Sequence, residues 1–402
     1  MLDWKDIRQK ASRVTRWLIL GLPFILPAYV IRIMIGPVPT TFLELYLFSL
    51  LTLFTIAYGR SGWRRAGALI GAWRAPILFF VLVSFASVFW SPHVFAGLGL
   101  WRAYILEPLL LFFVLPIVLD TKTNIHLFLR NLYLTVIGIS IWALWQFVTG
   151  TGIPHPWNVA ITDGRRATGP FPFPNAVALF VVPIAALAAA RFSKEKTWLA
   201  GLTVLASFGA ILLAQSDGGL IALTVAVLFV LFLSDWGRKW AIAMILAGAL
   251  IFLTQPSVRA PLVKEVTFQG WSGNVRLYIW RETWTMLQDR PLLGAGFGGY
   301  PTVFAAYHKA TAIEIFQYPH NILFNFWSEM GILGVLAFLW LLVTWLWRAS
   351  RTSRVTVMAV LLALCIHGLV DVPYFKNDLA IIFWLLIFLS MRLGIDAKKG
   401  RR

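Results

Sequence analysis

Residues 318–342 form an apolar stretch that carries polar side chains able to do chemistry. His320 opens the stretch, and Asn321, Asn325 and Glu329 follow at intervals of four residues, with Ser328 beside the last. On an α-helix this spacing places the three side chains on one face, with Glu329 about 13 Å further along the axis than His320. Histidine titrates near neutral pH and suits proton transfer. The stretch therefore predicts a polar cavity with His320 at its mouth and Glu329 as a second catalytic candidate.

An arginine is predicted on the apolar face of a second helix. The sequence NVRLYIWRETWTMLQDRP, residues 274–291, has the periodicity of an amphipathic helix that lies at a membrane surface or against other helices. Arg276 falls in the middle of its apolar face, whereas Arg281 falls on its polar face. A guanidinium directed at a buried side needs an anionic partner. Arg276 is therefore a catalytic candidate that would hold an anion, and Arg281 is a candidate substrate contact.

Other polar residues are predicted at the same membrane face. The candidates for substrate binding among them are Arg102, Arg165, Arg166, Asn175 and Asn321, while Glu107, Asp217, His367 and Asp371 are further polar neighbours. Arginine binds phosphate groups bidentately. Arginines and a histidine at one membrane face suit a lipid-linked diphosphate, from which a glycan moves to an acceptor hydroxyl that the histidine deprotonates.

Motifs for other chemistries do not fit. Gly294, Gly296 and Gly299 match G-x-G-x-x-G, but a dinucleotide site needs a preceding strand, and here an amphipathic helix precedes the glycines. We expect instead a tight turn that allows close backbone approach. The sequence has no H-E-x-x-H, no Cys/His metal spacing, no Walker loop and one cysteine. We therefore expect chemistry without a metal or a cofactor.

The composition predicts the elements that position these residues. The 402 residues are 59% hydrophobic and 13% charged, with a mean hydropathy of +0.77, whereas soluble domains are about a quarter charged. The fold class is all-α: a single integral membrane domain over residues 1–402, with about twelve transmembrane helices and a large external loop between spans nine and ten that contains the amphipathic helix. The predicted spans are 17–35, 40–58, 75–91, 101–119, 131–149, 174–190, 197–214, 218–233, 240–253, 320–346, 355–371 and 379–391.

The distribution of the charges that give the net charge of +18 indicates how the protein is oriented in the membrane. Most lysines and arginines lie in the segments that are cytoplasmic if the N-terminus is inside, and this is the positive-inside pattern. Both termini are therefore predicted in the cytoplasm, and the charge excess needs no nucleic-acid partner. The two long connections, residues 150–173 and 254–319, then lie together on the external side. Long connections in a compact domain are usually functional.

Three stretches resemble the O-antigen ligase/polymerase family of bacterial membrane glycosyltransferases. RRATGPFPFPNAVALF is similar to an Arg-x-x-Gly…Pro-Asn segment that enters a span, with Arg166 and Asn175 in the matching places. NVRLYIWRETWTMLQDRPLLGAGFGGY resembles an arginine helix followed by Pro-Leu-Leu-Gly-x-Gly, with Arg276 as its arginine. HNILFNFWSEMGILG resembles a His-Ser/Asn…Glu-x-Gly run that begins at His320. The resemblance is strongest over residues 160–340, and elsewhere it is one of topology.

The resemblance implies a bacterial inner-membrane enzyme whose active site faces the periplasm. Its donor would be a glycan on undecaprenyl diphosphate, and its acceptor would be the lipid A core or another glycan. It further implies that His320 activates or orients the acceptor hydroxyl, that Arg276 and Arg166 hold the diphosphate, and that the anomeric centre inverts. No metal or cofactor is implied.

Two alternatives stay open. Within the family, a ligase attaches the glycan to the lipid A core, whereas a polymerase joins repeat units, and the sequence does not fix the acceptor. Outside it, twelve spans and GRSGWRRAG between spans two and three bear some likeness to major-facilitator transporters. That motif lacks the acidic residue of those transporters, and their long cytoplasmic loop between spans six and seven is here only RFSKEK.

Overall fold

The computed structural model describes residues 3–158, 164–310 and 312–399, and these residues are predominantly helical. The α-helices are α1 Trp4–Ile25, α2 Phe42–Ile70, α3 Arg74–Val88, α4 Val94–Trp101, α5 Glu107–Val118, α6 Lys122–Thr149, α7 Pro174–Glu195, α8 Trp198–Ala214, α9 Asp217–Phe232, α10 Arg238–Thr254, α11 Pro256–Val266, α12 Trp271–Asp289, α13 Tyr300–Phe304, α14 Ile322–Arg348, α15 Arg354–Gly368 and α16 Asn377–Lys399. A π-helical turn, Arg102–Leu106, makes α4 and α5 continuous, and 3₁₀ turns cover Leu26–Val30 and Gly71–Trp73. An antiparallel hairpin of β1, Arg32–Ile35, and β2, Val38–Thr41, pairs Arg32 with Thr41 between α1 and α2.

The helices have the length and composition of a membrane protein. Among the described residues, six stretches are long and apolar enough to cross a membrane: Trp4–Val30, Phe42–Val88, Val94–Val118, Lys122–Thr149, Pro174–Glu195 and Ile322–Arg348. The shorter helices α8, α9 and α15 are also apolar. Each predicted span overlaps a helix, so the structure confirms a mostly helical fold with candidate membrane spans; the number of twelve spans and the large external loop stay predictions.

The centre of the bundle is α7. Its residues from Val177 to Ala190 are buried on every side, as expected for a helix that is apolar all round. Six alanines in this run allow α8, α9, α15 and α16 to approach closely. Outer helices keep large exposed apolar side chains, such as Trp17 and Phe48, which suit a lipid environment. The rigid centre therefore fixes the ends of the helices that carry the polar residues.

A glycine-rich loop is wedged into a break in α14. Gly331 interrupts this helix with φ +68°, and a Cβ atom there would lie 1.7 Å from the carbonyl oxygen of Leu292. The loop restores hydrogen bonds that the break removes, since Ala295 N–H donates to the Ser328 carbonyl at 2.7 Å. Gly294 and Gly296 also have positive φ and touch neighbouring backbone. The motif is thus a site of close backbone contact, which ties the end of α12 to α14.

Candidate functional site

A cavity of about 800 Å³ lies where the two long connections meet. Its walls come from the connection before α7, the turn between α8 and α9, the segment from α11 to α12, and the end of α15. Charged side chains line it: the cations are Arg166, Lys264 and Arg276, and the acids are Asp217, Glu265 and Asp371. The volume is in the range of small-molecule sites. The cavity can therefore hold a polar ligand beside an apolar bundle.

Arg276 reaches this cavity from α12. Its Nε atom donates to the carbonyl of Val370 at 2.8 Å, and Nη1 donates to Oγ of Ser272 at 2.8 Å. Both of these hydrogen-bond partners are neutral, and the charge of the guanidinium acts on the nearby carboxylate of Glu265. The carbonyl contact also fixes α12 against the segment that joins α15 to α16. Arg276, the one cation on the apolar face of α12, thus lies at the cavity.

Arg166 is held at the C-terminal end of α8. Its guanidinium donates to the carbonyls of Ala214 and Gln215 at 3.0 and 2.9 Å and to Oδ1 of Asn175 at 3.1 Å. Carbonyls at a helix C-terminus lack partners within the helix and favour a cation. The ring of Trp157 lies 5.2 Å from the guanidinium carbon. Arg166 is therefore rigidly held where the cavity wall begins.

Arg165 is turned away from the cavity. Its guanidinium packs against Gly150, where a Cβ atom would lie 2.6 Å from it. Arg165 is exposed and is not among the described residues that line the cavity. Of two adjacent arginines that the sequence offers equally, the structure brings only Arg166 to the cavity.

Asp371 connects the cavity to His320. Its Oδ2 atom accepts a hydrogen bond from Nδ2 of Asn175 at 3.3 Å, and its Oδ1 atom accepts from Val372 N–H at 2.9 Å. Nδ1 of His320 lies 3.4 Å from the same Oδ1. A carboxylate beside Nδ1 favours the tautomer with the proton on Nδ1, which leaves Nε2 as the basic nitrogen. Arg166, Asn175, Asp371 and His320 thus form one connected chain of polar contacts.

The polar stripe of α14 is buried away from the cavity. Glu329 is 5% exposed and accepts a hydrogen bond from Gly298 N–H in the glycine-rich loop. Asn325 and Ser328 are also buried, and their side chains have no hydrogen-bond partner within residues 3–158, 164–310 and 312–399. Asn321 caps α14 by accepting from Leu323 and Phe324 N–H, and it donates to the Leu369 carbonyl. These contacts give the stripe a role in holding segments together.

Two predicted substrate contacts also lie elsewhere. Arg102 forms ion pairs with Glu44 and Glu107 at the π-helical turn. Arg281 is on the exposed face of α12, as its helical position predicted. Neither is among the described residues that line the cavity.

The structure adds residues that the sequence left as unassigned neighbours. His367 is 2% exposed and lines the cavity, and its Nδ1 atom has no hydrogen-bond partner in the part of the chain that the structure describes. Lys264 and Glu265 enter from the end of α11. Burial raises the pKa of Glu265, and the nearby charge of Asp217 acts in the same direction, while Arg276 opposes it. The i, i+4 spacing of His367 and Asp371 in the sequence already predicts that these two side chains lie on one side of the chain, and both line this part of the cavity wall.

Fold and site together define a class: a helical membrane protein with an arginine-lined cavity beside a histidine–carboxylate pair. Residues 202–339 match the family model described as O-antigen ligase, which confirms the resemblance and supports membership of that family. No curated protein matches the chain. The matched region includes Arg276 and His320; Arg166 and Asp371 lie outside it.

Proposed function

We propose that the protein is a membrane glycosyltransferase of the O-antigen ligase type. It moves a glycan from undecaprenyl diphosphate to an acceptor hydroxyl at the external, periplasmic face of the inner membrane, and both of its termini are cytoplasmic. The observation that carries the proposal is that Arg166 and Arg276 line one cavity with Asp371, which contacts His320.

The two arginines suit the diphosphate of the donor. The guanidinium of Arg166 is positioned by the Ala214 carbonyl and that of Arg276 by the Val370 carbonyl. Guanidinium groups bind phosphate oxygens in pairs, and they stabilise negative charge that grows as a diphosphate departs. Lys264 adds a third cation at the cavity wall. The lipid chain of the donor would extend from the cavity along the apolar helices.

His320 is proposed as the general base. Nε2 accepts the proton of the acceptor hydroxyl while that oxygen forms a bond to the anomeric carbon of the donor sugar. The bond between the anomeric carbon and the diphosphate oxygen breaks, and the electron pair leaves with undecaprenyl diphosphate. Asp371 stabilises the imidazolium that results. Attack from the side opposite the leaving group inverts the anomeric centre, and no step requires a metal ion.

A polymerase that joins repeat units is the second candidate, because it uses the same donor and the same chemistry. The acceptor alone separates the two activities. Transport is disfavoured by the contacts of the cavity, since Arg166 and Asp371 are fixed by hydrogen bonds to several segments. A transport site must open to both sides of the membrane.

Deleting the gene tests the proposal. For a ligase, a gel of lipopolysaccharide should lose its ladder of bands while lipid-linked polymer accumulates. A band with a single repeat unit would identify a polymerase. An unchanged ladder together with altered uptake of a solute would overturn glycan transfer. Purified protein in nanodiscs should retain transfer activity in excess EDTA.

A further inference from the structure

A second group of polar side chains lies beside the cavity and has no assigned role. It consists of Tyr29, Tyr104, Tyr318, Lys376 and Asp378, here called the tyrosine–lysine cluster. Tyr29 is within electrostatic range of Tyr104, Tyr318 and Asp378, and Lys376 is within range of Asp378. The five residues come from the 3₁₀ turn after α1, the π-helical turn, the connection before α14 and the junction where α16 begins.

Three polar atoms of the cluster are buried and have no hydrogen-bond partner among the described residues. They are Oη of Tyr29, Nζ of Lys376 and Oδ1 of Asp378. Asp378 is 2% exposed, and no ion pair within 4.0 Å joins it to Lys376 among the described contacts. A buried polar group without a partner destabilises a fold. The amine of Lys376 and the carboxylate of Asp378 therefore interact electrostatically, while Nζ and Oδ1 have no hydrogen-bond partner among the described residues.

The cluster adjoins the cavity through the segment that leads into α7. Phe171 stacks on Tyr29 with ring centroids 6.2 Å apart, and Nζ of Lys376 lies 3.6 Å from the ring of Phe173. Asn175, two residues further on, contacts Arg166 and Asp371 in the cavity wall. None of the five cluster residues is among the described residues that line the cavity.

His320 contacts both regions. Its ring lies edge-on to Tyr318, with centroids 5.1 Å apart, while its Nδ1 atom faces Asp371. An in-line displacement requires that the acceptor hydroxyl approach from the side opposite the departing diphosphate. A base that serves this hydroxyl must therefore lie between the two substrates, as His320 lies between the cavity and the cluster.

We propose that the tyrosine–lysine cluster is the acceptor subsite and binds hydroxyl groups of a sugar. Sugar hydroxyls both donate and accept hydrogen bonds, and the cluster offers a donor in Lys376, an acceptor in Asp378 and phenol groups that do both. The neighbouring rings of Phe171 and Phe173 supply an apolar surface. An anionic group fits less well, since Asp378 would repel it. The proposal rests on the proposed glycan transfer and assigns its acceptor side.

Binding to purified protein in nanodiscs tests the assignment. One probe is a panel of methyl hexopyranosides, the α and β anomers of glucoside, galactoside and mannoside, observed by saturation-transfer NMR. The other probe is undecaprenyl diphosphate. At least one glycoside should bind the wild-type protein. Asp378→Asn and Lys376→Met should each weaken that glycoside about tenfold or more, because a hydrogen bond to a charged group is lost, and Tyr29→Phe should weaken it less.

The same variants should bind undecaprenyl diphosphate as the wild type does. Asp289→Asn, which alters an exposed carboxylate that accepts from Tyr307, is the control, and thermal unfolding verifies that each variant is folded. The subsite is overturned if no glycoside binds the wild type, if both variants keep its affinity, or if they weaken the diphosphate equally. Failure of the proposed function is separate: undecaprenyl diphosphate would then not bind, or Arg276→Lys would leave its binding unchanged.

Discussion

Nδ1 of His320 lies 3.4 Å from Oδ1 of Asp371, a residue 51 positions further along the chain. His320 has φ +50°, a backbone conformation that is uncommon for this residue type. The turn that imposes this φ aims the imidazole at the carboxylate. Asp371 in turn is fixed by Asn175 and by Val372 N–H. The pair is therefore set by three separate segments of the chain, and its geometry depends on all of them.

Replacing either member of this pair should impair glycan transfer. His320→Ala removes the proposed base and should lower the transfer rate by about 10²–10⁴. Asp371→Asn keeps the shape but can donate to Nδ1, which moves the imidazole proton to Nε2, and a loss of comparable size is expected. The measurement is the rate of glycan transfer in nanodiscs, with undecaprenyl diphosphate binding as the control. Full transfer activity in His320→Ala would show that His320 is not the general base.

Lysine should not replace either of the two cavity arginines in undecaprenyl diphosphate binding. Arg276→Lys and Arg166→Lys keep a positive charge but lose the planar fork, so each should weaken undecaprenyl diphosphate binding about tenfold to a hundredfold. Arg165→Lys is the matched control, since its guanidinium packs against Gly150 away from the cavity. Equal effects at positions 165 and 166 would contradict the assigned geometry.

The break in α14 should not accept a side chain. Gly331→Ala places a Cβ atom 1.7 Å from the Leu292 carbonyl oxygen at φ +68°, and the loss of stability should exceed about 2 kcal/mol. Gly248→Ala in α10, where no atom lies within 4 Å of the added carbon, should be neutral or stabilise by up to about 1 kcal/mol. Thermal unfolding in nanodiscs compares them. Equal unfolding temperatures would show that the glycine-rich loop is not wedged against α14.

The connection between α13 and α14 should be held more weakly as the pH rises. Nδ1 of His308 lies 2.8 Å from Glu282, and Nε2 lies 2.7 Å from the Ile313 carbonyl; only the imidazolium donates at both. The hydrogen bond with Glu282 raises the pKa of His308 above its ordinary value. This stabilisation is present below a pH of about 6.5 and is lost as the pH rises through the folded-state pKa.

The pH dependence of thermal unfolding between about pH 5.5 and 8.5 measures this effect, with the window set by the ordinary histidine pKa. The wild-type unfolding temperature should fall relative to that of His308→Gln as the pH increases. A difference that is independent of pH would show that His308 does not titrate in this contact.

Sequence patterns predicted several local features correctly. The periodicity of residues 274–291 places Arg276 on the inner face of α12 and Arg281 on the outer face, because helical geometry fixes which side chains share a face. The observed helix, Trp271–Asp289, begins three residues before the predicted amphipathic stretch. The twelve apolar runs fall on helices. These features follow from composition and spacing over short distances.

Other assignments required contacts between distant segments. The spacing of Asn321, Asn325 and Glu329 predicted one face, but it could not show that the glycine-rich loop would cover Glu329. Arg165 and Arg166 are adjacent candidates in the sequence, and the structure places Arg166 against the carbonyls at the end of α8 and Arg165 against Gly150. The sequence predicted that Arg102 binds a substrate anion, whereas the structure pairs it with Glu44 from α2.

The sequence by itself determined an all-helical membrane protein, the segments that carry its polar residues and the family that it resembles, because hydropathy and helical period are local properties. Only the tertiary structure decided that Arg166, Arg276 and Asp371 share one cavity, that Asp371 is the partner of His320, and that the ring of Tyr318 packs against the same histidine. The reason is physical: hydrogen bonds and charge interactions act over a few ångströms in space, and the residues that form them are far apart along the chain.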